Sequence, residues 1–195
     1  MEISAKMVGE LRERTGAGLM DCKRALVECN GDGEAAVICL KKKGMASADK
    51  KAGREATEGV VESYIHTGGR IGVLLQLNCE TDFVAKNDQF RTLARDLCLH
   101  ITASNPSYIS KEDVPAEEFA REREVAESQC GGKPPSAVAA IVEGKLAKFF
   151  SANCLLSQPF IKNPDQSVGD LIREHVAKIG ENIRVVRFSR FQIGG

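Results

Sequence analysis

From Ile71 to Cys79 the chain alternates, with Ile71, Val73, Leu75, Leu77 and Cys79 on one side and Gly72, Leu74, Gln76 and Asn78 on the other. That is the period of a β-strand. After Cys79 the period changes: Phe90, Leu93, Ala94, Leu97, Cys98 and Ile101 recur at helical spacing and predict a helix over 88–102, with Asn87 or Asp88 as its cap. Val60 to His66 forms a second strand, turned back through Thr67-Gly68-Gly69-Arg70, where the paired glycines supply the positive φ of a tight turn. Between strand and helix lies Glu80-Thr81-Asp82-Phe83-Val84-Ala85-Lys86-Asn87, with one large aromatic on the turn. Spacing leaves Phe83 open to two readings. Most phenylalanines are core residues, yet a tip held between two anchored elements can be pressed into another protein's cleft.

Residues 4–44 read as three short helices. Ser4 caps the first, with Val8, Leu11 and Thr15 along one side, and Gly16 ends it. Cys22, Ala25, Leu26 and Cys29 stripe the second, closed by Asn30-Gly31; Asp32 caps the third, where Ala36, Cys39 and Leu40 face inward and Gly44 is the expected stop. This gives a three-helix unit over 1–45. The small and charged side chains of 46–57 have almost nothing to bury and read as a linker, in part helical.

The remaining residues, 58–195, form the core domain. Beyond the hairpin and its helix, Asn105-Pro106 is a stop; a heavily charged helix follows over 116–129, and Gly131-Gly132-Lys133-Pro134-Pro135 breaks it. Val138, Ile141, Val142, Leu146 and Phe149 line one face of the next helix, Pro159 and Pro164 bracket an extended stretch, and Ser167 caps a helix striped by Val168, Leu171, Ile172, Val176 and Ile179. A last strand runs from Ile183 to Ile193; its apolar residues change parity between Val186-Phe188 and Phe191-Ile193, predicting a bulge near Ser189 or burial on both faces. The fold class is α+β, with a small three-stranded antiparallel sheet covered by helices.

Charge narrows the function. Lys plus Arg and Asp plus Glu number 27 each, so the chain has no net pull on nucleic acid or an anionic membrane. Trp is absent and aromatics are 5%, leaving no stacking platform for bases. No apolar run approaches the roughly 20 residues a bilayer needs, and the N-terminus carries no secretory pattern. The expected location is cytoplasmic. The seven cysteines include no Cys-x-x-Cys pair and read as small buried hydrophobes in a reducing compartment, which leaves a thiol redox role little support.

Sites for bond chemistry are not found. No phosphate-binding Gly-x-x-x-x-Gly-Lys-Ser/Thr loop is present. His66, His100 and His175 lack metal-ligand spacing, and no nucleophilic triad can be assembled. His100 is expected at the end of its helix, where partial positive charge is welcome, and His175 beside Val168, Ile172 and Ile179 at the border of a core. The pattern is that of a binding protein with no metal or cofactor of its own.

Glu80 to Asn87, together with Leu11-Arg12-Glu13-Arg14-Thr15-Gly16-Ala17-Gly18-Leu19-Met20-Asp21-Cys22-Lys23-Arg24-Ala25-Leu26, resembles the characteristic segments of the elongation factor Ts family. The likeness continues through Gly132-Lys133-Pro134, Val142-Glu143-Gly144-Lys145-Leu146, Gln158-Pro159-Phe160 and Gly180-Glu181-Asn182-Ile183, and so spans the chain. It implies a ubiquitin-associated-like fold for the N-terminal bundle. The implied activity is guanine-nucleotide exchange on elongation factor Tu, whose GDP and Mg²⁺ belong to the partner. Thr81, Asp82, Phe83 and Val84 are then the tip that disturbs the Mg²⁺ site, and Thr15, Gly16, Ala17, Gly18, Leu19 and Met20 are a second contact. From spacing, Leu19-Met20 fits bundle core as well. The chain resembles the short type with a single core, which implies a homodimer and a two-plus-two complex, with Arg184, Arg187, Arg190 and Phe191 near the interface or on a solvated edge. Residues 4–44 taken alone also suit a ubiquitin-associated-like adaptor for helical or ubiquitin-like partners, which would leave the core domain unexplained.

Overall fold

The computed structural model describes residues 3–131 and 134–194, and several of the predicted helix starts have an explicit local cause in it. Gly132 and Lys133, part of the expected helix break and of one resemblance segment, lie outside the described residues. Ser4 caps α1 (Ala5–Thr15) by accepting the Met7 N–H, and Gly16 closes it at φ 67°. Helix α2 (Leu19–Glu28) ends in Asn30 and Gly31, both at positive φ. Asp32 caps α3 (Gly33–Lys51), accepting from the N–H groups of Glu34 and Ala35. The three pack around Val8, Leu11, Cys22, Ala25, Leu26 and Ala36.

Gly44 does not stop α3, which continues to Lys51 through the first part of the expected linker. A Cβ on Gly44 would meet the Ala177 methyl at 3.2 Å, tighter than ordinary contact. The residue serves a close helix approach, and its backbone is ordinary helix.

The remaining elements are β1 (Glu58–Ile65), β2 (Ile71–Cys79), the single turn α4 (Asp82–Ala85), α5 (Asp88–Ser104), α6 (Ala116–Ser128), α7 (Pro135–Asn153), β3 (Pro159–Phe160), β4 (Asn163–Ser167), α8 (Val168–Ile179) and β5 (Arg184–Gln192). The fold is α+β, with an antiparallel sheet in the order β1-β2-β5. The extended stretch between the prolines is a further antiparallel pair, β3–β4. Asn87 caps α5 and Ser167 caps α8, by accepting the Gln89 and Asp170 N–H groups. Two compact units arise: Met1–Val60 with Asn78–Arg91 and Ile172–Arg184, and Val61–Leu77 with Thr92–Leu171 and Val185–Gly195.

In the second unit α5 covers one face of the sheet. Val73, Leu75 and Leu77 are buried there, as are Leu93, Ala94, Leu97, Cys98 and Ile101. The Cys98 thiol donates to the Glu62 carbonyl, and Arg190 donates to the Thr102 carbonyl. Along β5 Val186, Phe188 and Arg190 are half-buried whereas Phe191 and, just beyond the strand, Ile193 are exposed, so the expected burial on both faces is not found there. Helices α6 and α7 pack on each other around Ala126, Cys130 and Val142. Of the cysteines, Cys22, Cys79, Cys98, Cys130 and Cys154 are buried, whereas Cys29 and Cys39 are half-buried. Burial pushes the Cys79 thiol up to about 11 and Cys98 to about 12, which keeps both protonated at neutral pH.

His100 departs from its expected role. It is fully buried, four residues before the end of α5. The Gln158 amide nitrogen donates to the Ala152 carbonyl, so its oxygen faces His100 Nε2 at 2.9 Å, while Nδ1 accepts the Ile161 N–H at 3.2 Å. Only a neutral ring protonated at Nε2 satisfies both partners. Burial lowers its pKa below the ordinary histidine value, with the Gln158 bond opposing. The unfolded chain thus takes up a proton near pH 6.5 that the folded chain refuses. This contribution to stability is present above that pH and is lost as pH falls below it. The parent should lose more melting temperature between about pH 7.5 and 5.5 than a His100→Asn variant; equal losses in a thermal scan would refute it.

Candidate functional site

The Phe83 turn is built on one residue, Thr81. Its backbone is extended (φ −127°), and its hydroxyl caps α4 by accepting the Val84 N–H at 3.4 Å. Asp82 sits exposed in the first turn, where its carboxylate takes the Lys86 ammonium at 2.7 Å; that bond holds the Asp82 carboxyl below its usual range. Val84 is half-buried and Ala85 buried, so the turn is anchored by its C-terminal side. Phe83 is left 81% exposed. The structure therefore decides between the two readings of this ring in favour of exposure.

What holds Thr81 comes from a distant part of the sequence in the same unit. Glu181, just after α8, accepts the backbone N–H groups of Glu80 (3.1 Å) and Thr81 (3.0 Å) on one oxygen and the Thr81 hydroxyl (2.6 Å) on the other. The Glu80 carboxylate returns the favour by accepting the Asn182 N–H at 2.6 Å, and Arg54 lies 3.5 Å from the same oxygen. Asn182, buried, donates its amide to the carbonyls of Ala52 (3.3 Å) and Arg54 (2.7 Å). Sequence reading gave neither Glu181 nor Asn182 a role, although both stand in the Gly180-Glu181-Asn182-Ile183 segment quoted for the resemblance.

The N-terminal candidates form a loop and a helix start. Thr15 donates its hydroxyl to the Leu11 carbonyl (2.7 Å) and accepts the Ala17 N–H (3.3 Å), which shapes the loop. Gly16 needs its φ of 67°, and the Lys178 side chain lies across it. Gly18 precedes α2 without a side-chain cap. Leu19 and Met20 are 52% and 64% exposed, so they are not bundle core. Beside the loop lies a cleft of about 610 Å³ lined by charges of both signs, among them Arg24 with Asp21 and Lys41 with Glu174, which are ion-paired. The N-terminal candidates and the Phe83 turn thus lie within one compact unit.

The second unit offers a different surface. A Cβ on Gly72 would meet Ile65 Cδ1 at 2.8 Å, and Arg187 donates to the Gln76 side chain at 3.0 Å. Ile65, Leu74 and Arg187 therefore share the sheet face opposite α5. Alternation adds Val61 and Phe191. Val61, Ile65, Leu74 and Phe191 are each about half-exposed or more, so this face carries open apolar side chains beside Gln76 and Arg187. Among the described residues no helix is long and apolar enough to cross a membrane, and no group of acidic, histidine and cysteine side chains is suited to hold a metal.

The family described as Elongation factor TS matches residues 47–195. The chain is 60% identical to the elongation factor Ts of Carboxydothermus hydrogenoformans over 194 residues, 98% of this chain and 89% of that protein. It is 57% identical to that of Thermodesulfovibrio yellowstonii over 195 residues, 100% and 98% of the two chains, and 56% identical to that of Caldanaerobacter subterraneus over 98% and 97%.

Proposed function

Because the chain belongs to the elongation factor Ts family, we propose that it binds elongation factor Tu carrying GDP and speeds GDP release by pressing the Phe83 turn against the groups that support Mg²⁺ and the phosphates. The observation that carries this reading is a phenyl ring 81% exposed on a turn whose backbone is pinned on both sides. An aromatic held out in water costs apolar burial, and a partner's cleft recovers it.

The thermodynamics is linkage. A protein that binds the nucleotide-free partner more tightly than the GDP-bound one weakens GDP by the same factor, and each tenfold needs about 1.4 kcal/mol of differential contact. Mg²⁺ between phosphates tolerates little departure from octahedral geometry, so displacing its supports by a ring's width is costly to the bound state. Asp82 and Thr81 fix the tip and Val84 fills beside it. The Thr15–Gly18 loop with Leu19 and Met20 gives a second contact, where the flexible thioether of Met20 adapts to an irregular surface. Two tethered contacts reinforce each other through effective concentration. No bond of the nucleotide is made or broken, so this is exchange without chemistry of the chain's own. A ubiquitin-associated-like adaptor role leaves residues 47–195, those matched by the family, without a task.

The open sheet face supports the proposal that two copies pair through it, giving a complex of two exchange factors and two elongation factor Tu chains. The N-terminal bundle and the unit carrying the sheet would then divide partner binding and dimerisation between them. The balanced charge argues against nucleic acid as a direct partner. The test of function is stopped-flow release of fluorescent GDP from elongation factor Tu. Release should accelerate with added protein and saturate; a rate that stays at the intrinsic value would defeat the proposal.

A further inference from the structure

The turn after α8 is where the Phe83 tip and the exit of α3 are tied together. Within one unit, Glu181 takes two backbone N–H groups and a hydroxyl from Glu80 and Thr81, while its neighbour Asn182 holds the carbonyls of Ala52 and Arg54. Glu80 closes the loop by binding the Asn182 N–H and facing Arg54. A second amide, on Asn78, fixes the Ala56 carbonyl at 2.9 Å. The partners in this network lie about 20 to 130 positions apart in sequence. None of these bonds is needed to form a helix or a strand; their shared effect is to hold a tip and the chain leaving α3 in one register.

We infer that Glu181 is a positioning residue for nucleotide exchange, acting through Thr81 on the direction of Phe83, and that Asn182 fixes the end of the N-terminal helices to the same mount. This rests on the exchange reading and on Phe83 as its wedge. The chemistry fits the task. An ionised carboxylate accepts on both oxygens, and charge-assisted bonds to backbone N–H groups are short and stiff. Here they fill donors at the end of β2 that continued strand pairing would otherwise use. The α4 turn is closed on itself by its own backbone bonds and the Asp82–Lys86 pair, but the strand leading into it is fixed by Glu181, and misplacing a reacting contact by about 1 Å can cost roughly a hundredfold in rate.

The experiment compares parent, Glu181→Ala, Glu181→Gln, Phe83→Ala and the double variant Phe83→Ala/Glu181→Ala in GDP release from elongation factor Tu, over a concentration series that reaches saturation. Melting curves set the assay well below every transition. Glu181→Ala should lower the saturating rate by roughly tenfold to a hundredfold with little change in the half-saturating concentration. Glu181→Gln should recover most of the rate, since its oxygen can take the N–H groups and its nitrogen can donate to the Thr81 hydroxyl. Adding Glu181→Ala to Phe83→Ala should slow release no further, because its effect runs through the ring. If Glu181→Ala does not fold, Thr81→Val replaces it; that variant removes the 2.6 Å bond to Glu181 together with the longer cap bond from the Val84 N–H, and should slow saturating release in the same sense. A parent-like rate in the alanine or valine variant, or an equal slowing with and without Phe83, overturns the inference while leaving exchange intact. If Phe83→Ala itself keeps the parent rate, the wedge reading fails, and the positioning role fails with it.

Discussion

Replacing Phe83 by alanine is expected to slow GDP release from elongation factor Tu by roughly 30- to 700-fold while leaving the fold intact. The range follows from the cost of truncating a central aromatic anchor, about 2–4 kcal/mol, at 1.4 kcal/mol per factor of ten. The fold should hardly respond, because the ring is 81% exposed and surface substitutions usually fall within about 0.5 kcal/mol. At this chain length that is a shift of about 2 °C or less in melting temperature. Stopped-flow release and a thermal scan on the same preparations separate the two effects. A variant that releases GDP as fast as the parent, or one that loses rate only because it unfolds, would remove the ring from the mechanism.

The second large effect concerns assembly. Placing Asp at Leu74 and Phe191 together should convert a dimer to monomers at micromolar concentration, seen by sedimentation equilibrium. Both side chains are exposed in the single chain, so neither substitution opens a cavity. In a two-fold interface each change appears twice, and burying an unpaired carboxylate costs several kcal/mol. Dimer affinity should fall by at least a hundredfold on the order of 3 kcal/mol. A parent that sediments as a monomer, or a double variant that still dimerises, would reject the sheet face as the interface. Exchange by the monomeric variant then shows whether pairing matters to catalysis, since the Phe83 turn and the Leu19-Met20 contact lie in the other unit.

The sequence made local causes visible and hid distant ones. Gly16 and Gly44 look alike as helix stops, but only Gly16 has the positive φ of one. Gly44 is glycine because Ala177, 133 positions later, comes within a methyl's reach. The alternation of β2 and the stripe of α5 were legible because each follows its own period. His100 lies three and seven residues after Leu97 and Leu93, on that stripe, so its burial was available from spacing; its neutral state depends on Gln158 and Ile161, which spacing does not reveal. The β3–β4 pair was masked by Pro159 and Pro164, which lack the N–H that a ladder uses. Phe83 is the instructive case. Its motif was plain, yet nothing local could say whether the ring is buried. Thr81 is pinned by Glu181, one hundred positions downstream, and that long-range bond is part of what holds the turn outward.

The most direct measurement is GDP release from elongation factor Tu by the parent and by Phe83→Ala, each at saturation, with Mg²⁺ present and after its removal with a chelator. If the ring works by unseating the metal, the parent should outpace the variant by the full 30- to 700-fold with Mg²⁺. The ratio should shrink to within about threefold once Mg²⁺ is gone, because the step the ring performs has already been done. A ratio that survives chelation unchanged would mean that Phe83 acts on the phosphates or on closure of the partner, and the Mg²⁺ step would have to be abandoned.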